Sequence, residues 1–335
     1  MNNVLKTILI LLAFAVAMPV AEAHVKKDTN VTKTKAKKKA IKKTKATTKS
    51  KAKKKKKKKR KKKAKVKAVP AKQLFGKLTA AAIVPAHVYG SYTKGCFAGG
   101  KQLAEDGPAW QAMRLSRNRN WGHPRTIAYI EQLAKDAKAH DGWSGLLVGD
   151  ISQPRGGPML TGHASHQLGL DADVWLLQAP KKRLTVAQRE KISAISVLTK
   201  NKKEINPKIW TPEHLKLLRR AASYKNVARI FINPVIKKKL CKDAGKNRKW
   251  LRKLRPWRGH HYHFHVRLNC PKGDRICKNQ PAPGVGDGCG ADLAKWFKKP
   301  KKKKRKKGYK FKFIPKPELT MANLPRACRK VLKQK

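Results

Sequence analysis

Gly162-His163-Ala164-Ser165-His166-Gln167-Leu168-Gly169-Leu170-Asp171-Ala172-Asp173 is the stretch on which the reading of the chain turns. From Leu170 onward apolar and acidic residues alternate. Strand side chains point to opposite faces in turn, so Leu170, Ala172 and Val174 share one face and Asp171 and Asp173 the other. Two acids on one strand face need a reason. His166 and Asp173 are seven residues apart, which would put them on opposite faces of an unbroken strand. Gly169 permits a turn between them, and a loop histidine can then meet the strand carboxylate on one side.

A second window, His260-His261-Tyr262-His263-Phe264-His265-Val266-Arg267-Leu268, repeats the alternation. Tyr262, Phe264, Val266 and Leu268 form a core face, and His261, His263, His265 and Arg267 form the other. Six of the eleven histidines fall in these two windows. Two imidazoles and one carboxylate are the usual protein complement of a catalytic zinc site that keeps a position open for water, so His166, Asp173 and His265 are expected to hold Zn2+. His263, on the same strand face, is placed to act as a base.

Around these windows the composition divides the chain. Its 335 residues carry a formal net charge of +66, yet 40% are hydrophobic and eight are Trp, which excludes a uniformly disordered polycation. The charge is segregated. Lys26 to Lys67 holds 25 Lys/Arg against one acid, and Lys298 to Lys312 holds 11 against none, so about half of the excess lies in two low-complexity runs. The first reads as a disordered, extended arm, either a plain spacer or a means of electrostatic attachment to an anionic wall or membrane surface. Residues 1–23 read as a secretory signal: Lys6 closes the basic region, Thr7 to Met18 is apolar, and Ala21-Glu22-Ala23 is a cleavage site, an uncleaved anchor being the alternative. No other window reaches the roughly 18 apolar residues of a transmembrane helix. The expected order is a signal at 1–23, a Lys-rich arm at 24–70, a folded domain at 71–297, and a Lys-rich tail at 298–335 that returns to the domain through Cys328.

Helices are expected from Pro124 to about Ala139, where Ile127, Ile130, Leu133 and Ala137 recur at helical spacing, and from Pro212 to about Ser223 behind a Thr211 cap. Strands are expected at 145–151, 170–177, 227–232 and 262–268. The fold class is α+β, a small central antiparallel sheet flanked by helices and long loops. Six cysteines in an exported chain favour disulfides, with 15 pairings open, and no C-x2-C pair supports a zinc finger.

These residues resemble the penicillin-insensitive murein endopeptidases. The likeness rests on Met113-Arg114-Leu115-Ser116-Arg117-Asn118-Arg119-Asn120-Trp121-Gly122-His123-Pro124, on the 162–173 window, on Arg255-Pro256-Trp257 through Leu268, and on Cys270-Pro271 and Gly286-Asp287-Gly288-Cys289-Gly290. It spans about 95–297 plus Cys328 and leaves out the Lys-rich runs. The resemblance implies zinc-dependent hydrolysis of the D-alanyl to meso-diaminopimelyl amide that crosslinks peptidoglycan, in the periplasm. It implies that His166, Asp173 and His265 bind zinc, that His263 and His260 line the reacting centre, and that His163 ligates a second metal with a D-x-x-H pair. The 201–204 stretch reads Asn201-Lys202-Lys203-Glu204 instead, which puts the second metal in doubt. It also implies the pairs Cys96–Cys328, Cys241–Cys289 and Cys270–Cys277.

On this reading Arg114, Arg117, Arg119 and Arg267 are candidates to clamp the substrate's carboxylates, and His260 meets the developing oxyanion or the leaving amine. The rivals are a D,D-carboxypeptidase on the same fold, a polycationic nucleic-acid binder whose Lys/Ala-rich runs hold phosphates without sequence preference, and a wall-binding module with a decayed site.

Overall fold

The computed structural model describes residues 68–298 and 316–334. The expected signal segment, the first Lys run and most of the second lie outside the described residues. Among those described, no helix is long and apolar enough to cross a membrane.

The strands are β1 (His87–Ser91), β2 (Lys94–Ala98), β3 (Lys101–Gln102), β4 (Asp106–Gly107), β5 (Trp110–Ala112), β6 (Trp121–Gly122), β7 (Leu146–Val148), β8 (Asp171–Gln178), β9 (Val227–Ile232), β10 (Leu254–Pro256) and β11 (His263–Leu268). The helices are α1 (Ala71–Phe75), α2 (Pro124–His140), α3 (Val186–Lys191), α4 (Pro212–Ser223), α5 (Pro234–Asp243), α6 (Ala291–Ala294) and α7 (Ala327–Lys333). Seven strands form one sheet in the order β10-β9-β11-β8-β7-β5-β4, while β1 pairs β2 and β3 pairs β6 in two small ribbons. The sheet is larger than the sequence suggested and is mixed. Its centre, β9-β11-β8-β7, is antiparallel, but β10 runs parallel to β9 and β5 parallel to β7.

The alternation read from the two windows decides how this sheet is buried. Ala172, Val174 and Leu176 of β8 join Phe264 and Val266 of β11 and Ile230 and Ile232 of β9 in the main core. Ile127, Ile130 and Leu133 of α2 and Leu217, Leu218 and Ala221 of α4 cover that face. Each large side chain buried there is worth about 1.5–3 kcal/mol. Proline stands at the start of α2, α4 and α5, where its missing N–H costs the helix nothing. Thr211 is the N-cap residue of α4, and its N–H donates to His214 Nδ1 at 3.0 Å.

Three disulfides, Cys96–Cys328, Cys241–Cys289 and Cys270–Cys277, staple the periphery. The first holds α7 against a small second core containing Phe75 and Leu324. Arg155 donates to the Val331 carbonyl at 2.9 Å and fixes the same helix from the other side.

Candidate active site

β8 and β11 are antiparallel neighbours in a register that sets His265 opposite Asp173 and Arg267 opposite Asp171. The polar faces of the two strands therefore coincide. His166 reaches them from the preceding loop in a left-handed conformation, φ 67. Gly169 makes that approach possible: its φ is +64, and a Cβ there would lie 2.8 Å from both the His123 nitrogen and the Phe97 ring. Turn and close contact both require glycine.

Four imidazoles surround the Asp173 carboxylate. His166 Nε2 and His265 Nδ1 lie 3.5 and 3.4 Å from Oδ1, while His163 Nδ1 and His263 Nε2 lie 3.6 and 3.7 Å from Oδ2. The carboxylate thus has one edge facing His166 and His265 and one facing His163 and His263. All of these histidines except His163 are at least four-fifths buried.

Neighbours set the rings. His166 Nδ1 is 2.7 Å from the Ile151 carbonyl, which can only accept, so that nitrogen carries the proton and Nε2 keeps its lone pair toward Asp173. The His166 N–H donates to Asp171 Oδ2 at 3.0 Å. His265 Nε2 sits 3.1 Å from Asp171 Oδ1 but out of line for a hydrogen bond. His166 Nε2 and Asp173 Oδ1 are buried with no hydrogen-bond partner. A lone pair aimed at a carboxylate oxygen in a dry site is repulsive unless positive charge lies between them. Burial disfavours an imidazolium at His166, yet Asp173 outweighs burial and raises its pKa, so the site draws positive charge to this spot. The donor set of two imidazoles and a carboxylate fits a divalent metal. Among the described residues the group whose ligand atoms all lie within 4.8 Å of one another is His163, His166 and Asp173, without His265, so His163 is a further donor within reach of the same spot.

Burial disfavours charge on Asp173 as well, but His263, His166 and His265 hold its carboxyl well below the ordinary range. Burial pushes His263 down to about 4 against the pull of Asp173, which keeps it neutral at pH 7. His260, also left-handed with φ 49, turns its Nδ1 toward the Arg258 carbonyl at 2.9 Å and places its ring 4.9 Å from that of His263.

Two hollows of about 430 and 450 Å³ meet over this centre, sharing His163, Tyr262 and His263 in their linings. Arg114 and Arg117 line one lobe, and Phe231, Trp257 and His260 line the other.

The four arginines expected to clamp substrate divide. Arg114 and Arg117 face the cleft. Arg119, its side chain 9% exposed, donates to Asp150 at 2.8 Å and to the Thr161 carbonyl at 3.1 Å. Arg267 forms a buried two-pronged pair with Asp171 at 2.7 and 3.2 Å and lies 4.1 Å from the Tyr92 ring centroid. Both guanidiniums are held by internal carboxylates, although Arg267 still lines the second lobe; Arg117 shares Asp150 but keeps 47% of its side chain exposed, and Arg114 forms no ion pair among the described residues. His261 also leaves its expected place, because β11 begins at His263 and the His261 ring pairs instead with Ser196 Oγ at 2.9 Å. The 201–204 stretch forms a turn, with the Lys202 N–H on the Thr199 carbonyl at 2.8 Å, and joins no metal-ligating group among the described residues.

Asp150 has no counterpart in the sequence reading. It follows β7, is almost fully buried, and accepts from Arg117 Nη1 at 3.2 Å and Arg119 Nη1 at 2.8 Å, with His163 Nε2 at 3.0 Å. Burial pushes its carboxyl up, but the bonds from His163 and Arg119 outweigh burial and hold it at about 2. Asp150 therefore fixes the His163 ring with Nδ1 toward Asp173. A lone Asp after a short strand carries no pattern that would mark it.

Fold and site together define a hydrolase-type centre, an acid ringed by four histidines at the floor of a cleft. A family model described as penicillin-insensitive murein endopeptidase matches residues 88–333. A protein of that name from Haemophilus influenzae is 46% identical over 212 residues, covering 63% of this chain and 73% of its own. One from Escherichia coli O1:K1 / APEC is 43% identical over 225 residues, covering 67% of this chain and 81% of its own. The chain belongs to the penicillin-insensitive murein endopeptidase family, and it is an enzyme that cleaves peptidoglycan.

Proposed function

We propose that the enzyme is zinc-dependent, that His166, Asp173 and His265 hold the ion, and that the bond cleaved is the D-alanyl to meso-diaminopimelyl amide crosslink. The observation that carries the metal reading is the convergence of His166 Nε2 and His265 Nδ1 on the unpartnered Oδ1 of Asp173. When bound, zinc supplies Lewis acidity for the attacking water and the scissile carbonyl.

The remaining work falls to the chain's own groups. His263, kept neutral by burial, takes the water's proton at Nε2. His260, at the cleft edge beside His263, keeps its Nδ1 proton on the Arg258 carbonyl, so it donates to the developing oxyanion or to the departing amine from Nε2 and only as an imidazolium. Arg114 and Arg117 offer the substrate's free carboxylate charge-assisted hydrogen bonds along one lobe. Phe231 and Trp257, ring centroids 5.6 Å apart, wall the other lobe against water. The reading places the enzyme in the periplasm beside its substrate, with residues 1–23 as the export signal.

The test is zinc binding by the chelator-stripped protein and its His166→Ala variant. One tightly bound equivalent in the parent and loss of at least about 100-fold in affinity in the variant support the assignment. Equal affinity in both removes His166 from the site.

A further inference from the structure

Beyond the loop that carries Trp257 and His260 lies a second groove, of about 800 Å³, whose lining includes Lys202, Lys203, Arg258, Lys295, Trp296 and Phe297. Its charge is of one sign. Among the described residues Lys202, Lys203 and Arg258 form no ion pair, and only Lys295 is bridged, to Asp292 at 3.0 Å. Its apolar part is exposed: Trp296 and Phe297 keep 38% and 45% of their surface in solvent. Lys238 lies over the Phe297 ring at 5.4 Å from its centroid and holds that aromatic in place.

The groove and the cleft border the same loop, residues 257–260, from which each takes two lining residues. Asn233, on its rim, donates its side-chain amide to the Gly259 carbonyl at 2.8 Å and its backbone N–H to the His260 carbonyl at 2.9 Å. The loop thus turns Trp257 and His260 to the reacting centre and Arg258 and Gly259 to the groove. A polymer lying across the loop meets both.

We propose that this groove is an accessory substrate site that holds a neighbouring segment of the same peptidoglycan strand, with its lysines and Arg258 on stem-peptide carboxylates and its aromatic rings on sugar faces. The proposal rests on the reading of the enzyme as a crosslink endopeptidase and adds a second point of contact to it. Charge complementarity selects the occupant. The groove shares the sign of the chain's own Lys-rich runs, so its partner is an anion from outside, and aromatic rings among the cations suit a carbohydrate-bearing polymer better than a bare polyanion. Two weak contacts on one polymer act at high effective concentration, which favours long strands over short fragments.

The test compares the full-length protein with Lys202→Glu/Lys203→Glu and with Trp296→Ala, all at exposed positions outside the reacting centre. KM and kcat are measured on a minimal crosslinked muropeptide dimer and on long crosslinked glycan chains. Charge reversal is expected to raise KM on long chains about tenfold and Trp296→Ala about threefold, with kcat and the dimer unchanged. An unchanged long-chain KM, or an equal rise on both substrates, overturns the proposal. If the parent cleaves neither substrate, the endopeptidase reading fails separately. Co-sedimentation of the chelator-treated proteins with intact peptidoglycan then decides: weaker binding by the variants keeps the groove, and equal binding overturns it. Loss of binding to anionic lipid vesicles with peptidoglycan binding intact assigns the groove to a membrane and also overturns it.

Discussion

Replacing Arg267 with Met separates a structural cation from a substrate clamp. Its guanidinium meets both oxygens of Asp171, and the two side chains are 7% and 0% exposed. Burial opposes charge on Asp171, but Arg267 and then His265 hold the carboxyl far below its usual range. Removing the arginine strands a buried carboxylate, a loss of about 3–5 kcal/mol. In a domain of this size each kcal/mol moves Tm by about 2–4 °C, so Arg267→Met should lower Tm by roughly 6–20 °C. Asp171 also receives the His166 N–H and lies against His265, so zinc affinity should fall with stability, by about 10–100-fold. The assay is thermal unfolding in chelator with disulfides intact, which removes any contribution of metal. Adding Asp171→Asn to the variant takes away the stranded charge and should recover about 1–3 kcal/mol, the coupling expected of a contacting pair. A variant that keeps its Tm within about 2 °C and shows only a raised KM would refute the pairing argument and return Arg267 to the substrate.

Asp150→Asn should loosen the His163 ring, lowering kcat about 10–100-fold with KM little changed, and should also lower Tm because Arg119 loses its carboxylate; a KM effect alone would count against a positioning role. Cys328→Ser opens a link between residues 232 positions apart and frees α7, and should cost about 3–5 kcal/mol by urea unfolding against the oxidised parent; a loss under about 1 kcal/mol would show that α7 holds without it. Lys237 is fully buried in α5, its amine donating to the Leu251 and Asp287 carbonyls at 2.6 and 2.7 Å, and burial pushes its pKa down from 10.5 to about 7. The unfolded chain then binds a proton that the folded chain lacks between those values, so the parent should gain stability as pH rises from about 7 to 10. Lys237→Met should flatten that slope, and parallel pH profiles would contradict the shift.

How far the sequence revealed this molecule depended on the range of each interaction. α2 ends one residue beyond its expected limit, and α4 and β9 fall on their expected bounds, because periodicity and capping are local. The polar face of β8 and β11 was legible because alternation survives any register that keeps the other face buried. The parallel strands β5 and β10 were not, since three residues carry no measurable period. The internal partners of the arginines were hidden for a related reason. Nothing in Arg267 or Arg119 announces that Asp171 or Asp150 lies within reach, since those pairings are made by cross-strand register and loop path. His261 was misplaced because β11 begins at His263, one residue later than the expected strand, and the chain before it bends away. The cysteine pairing stayed open at the level of residue chemistry, and the resemblance supplied the three pairs that the structure joins.

Mass analysis of the products from crosslinked peptidoglycan tests the central claim most directly. Chelator-stripped enzyme should leave crosslinked dimers intact, and return of zinc should convert them to monomers, with no free D-alanine released and no recovery in His265→Ala. Conversion that persists in chelator, or release of D-alanine from dimers that stay joined, would contradict the account.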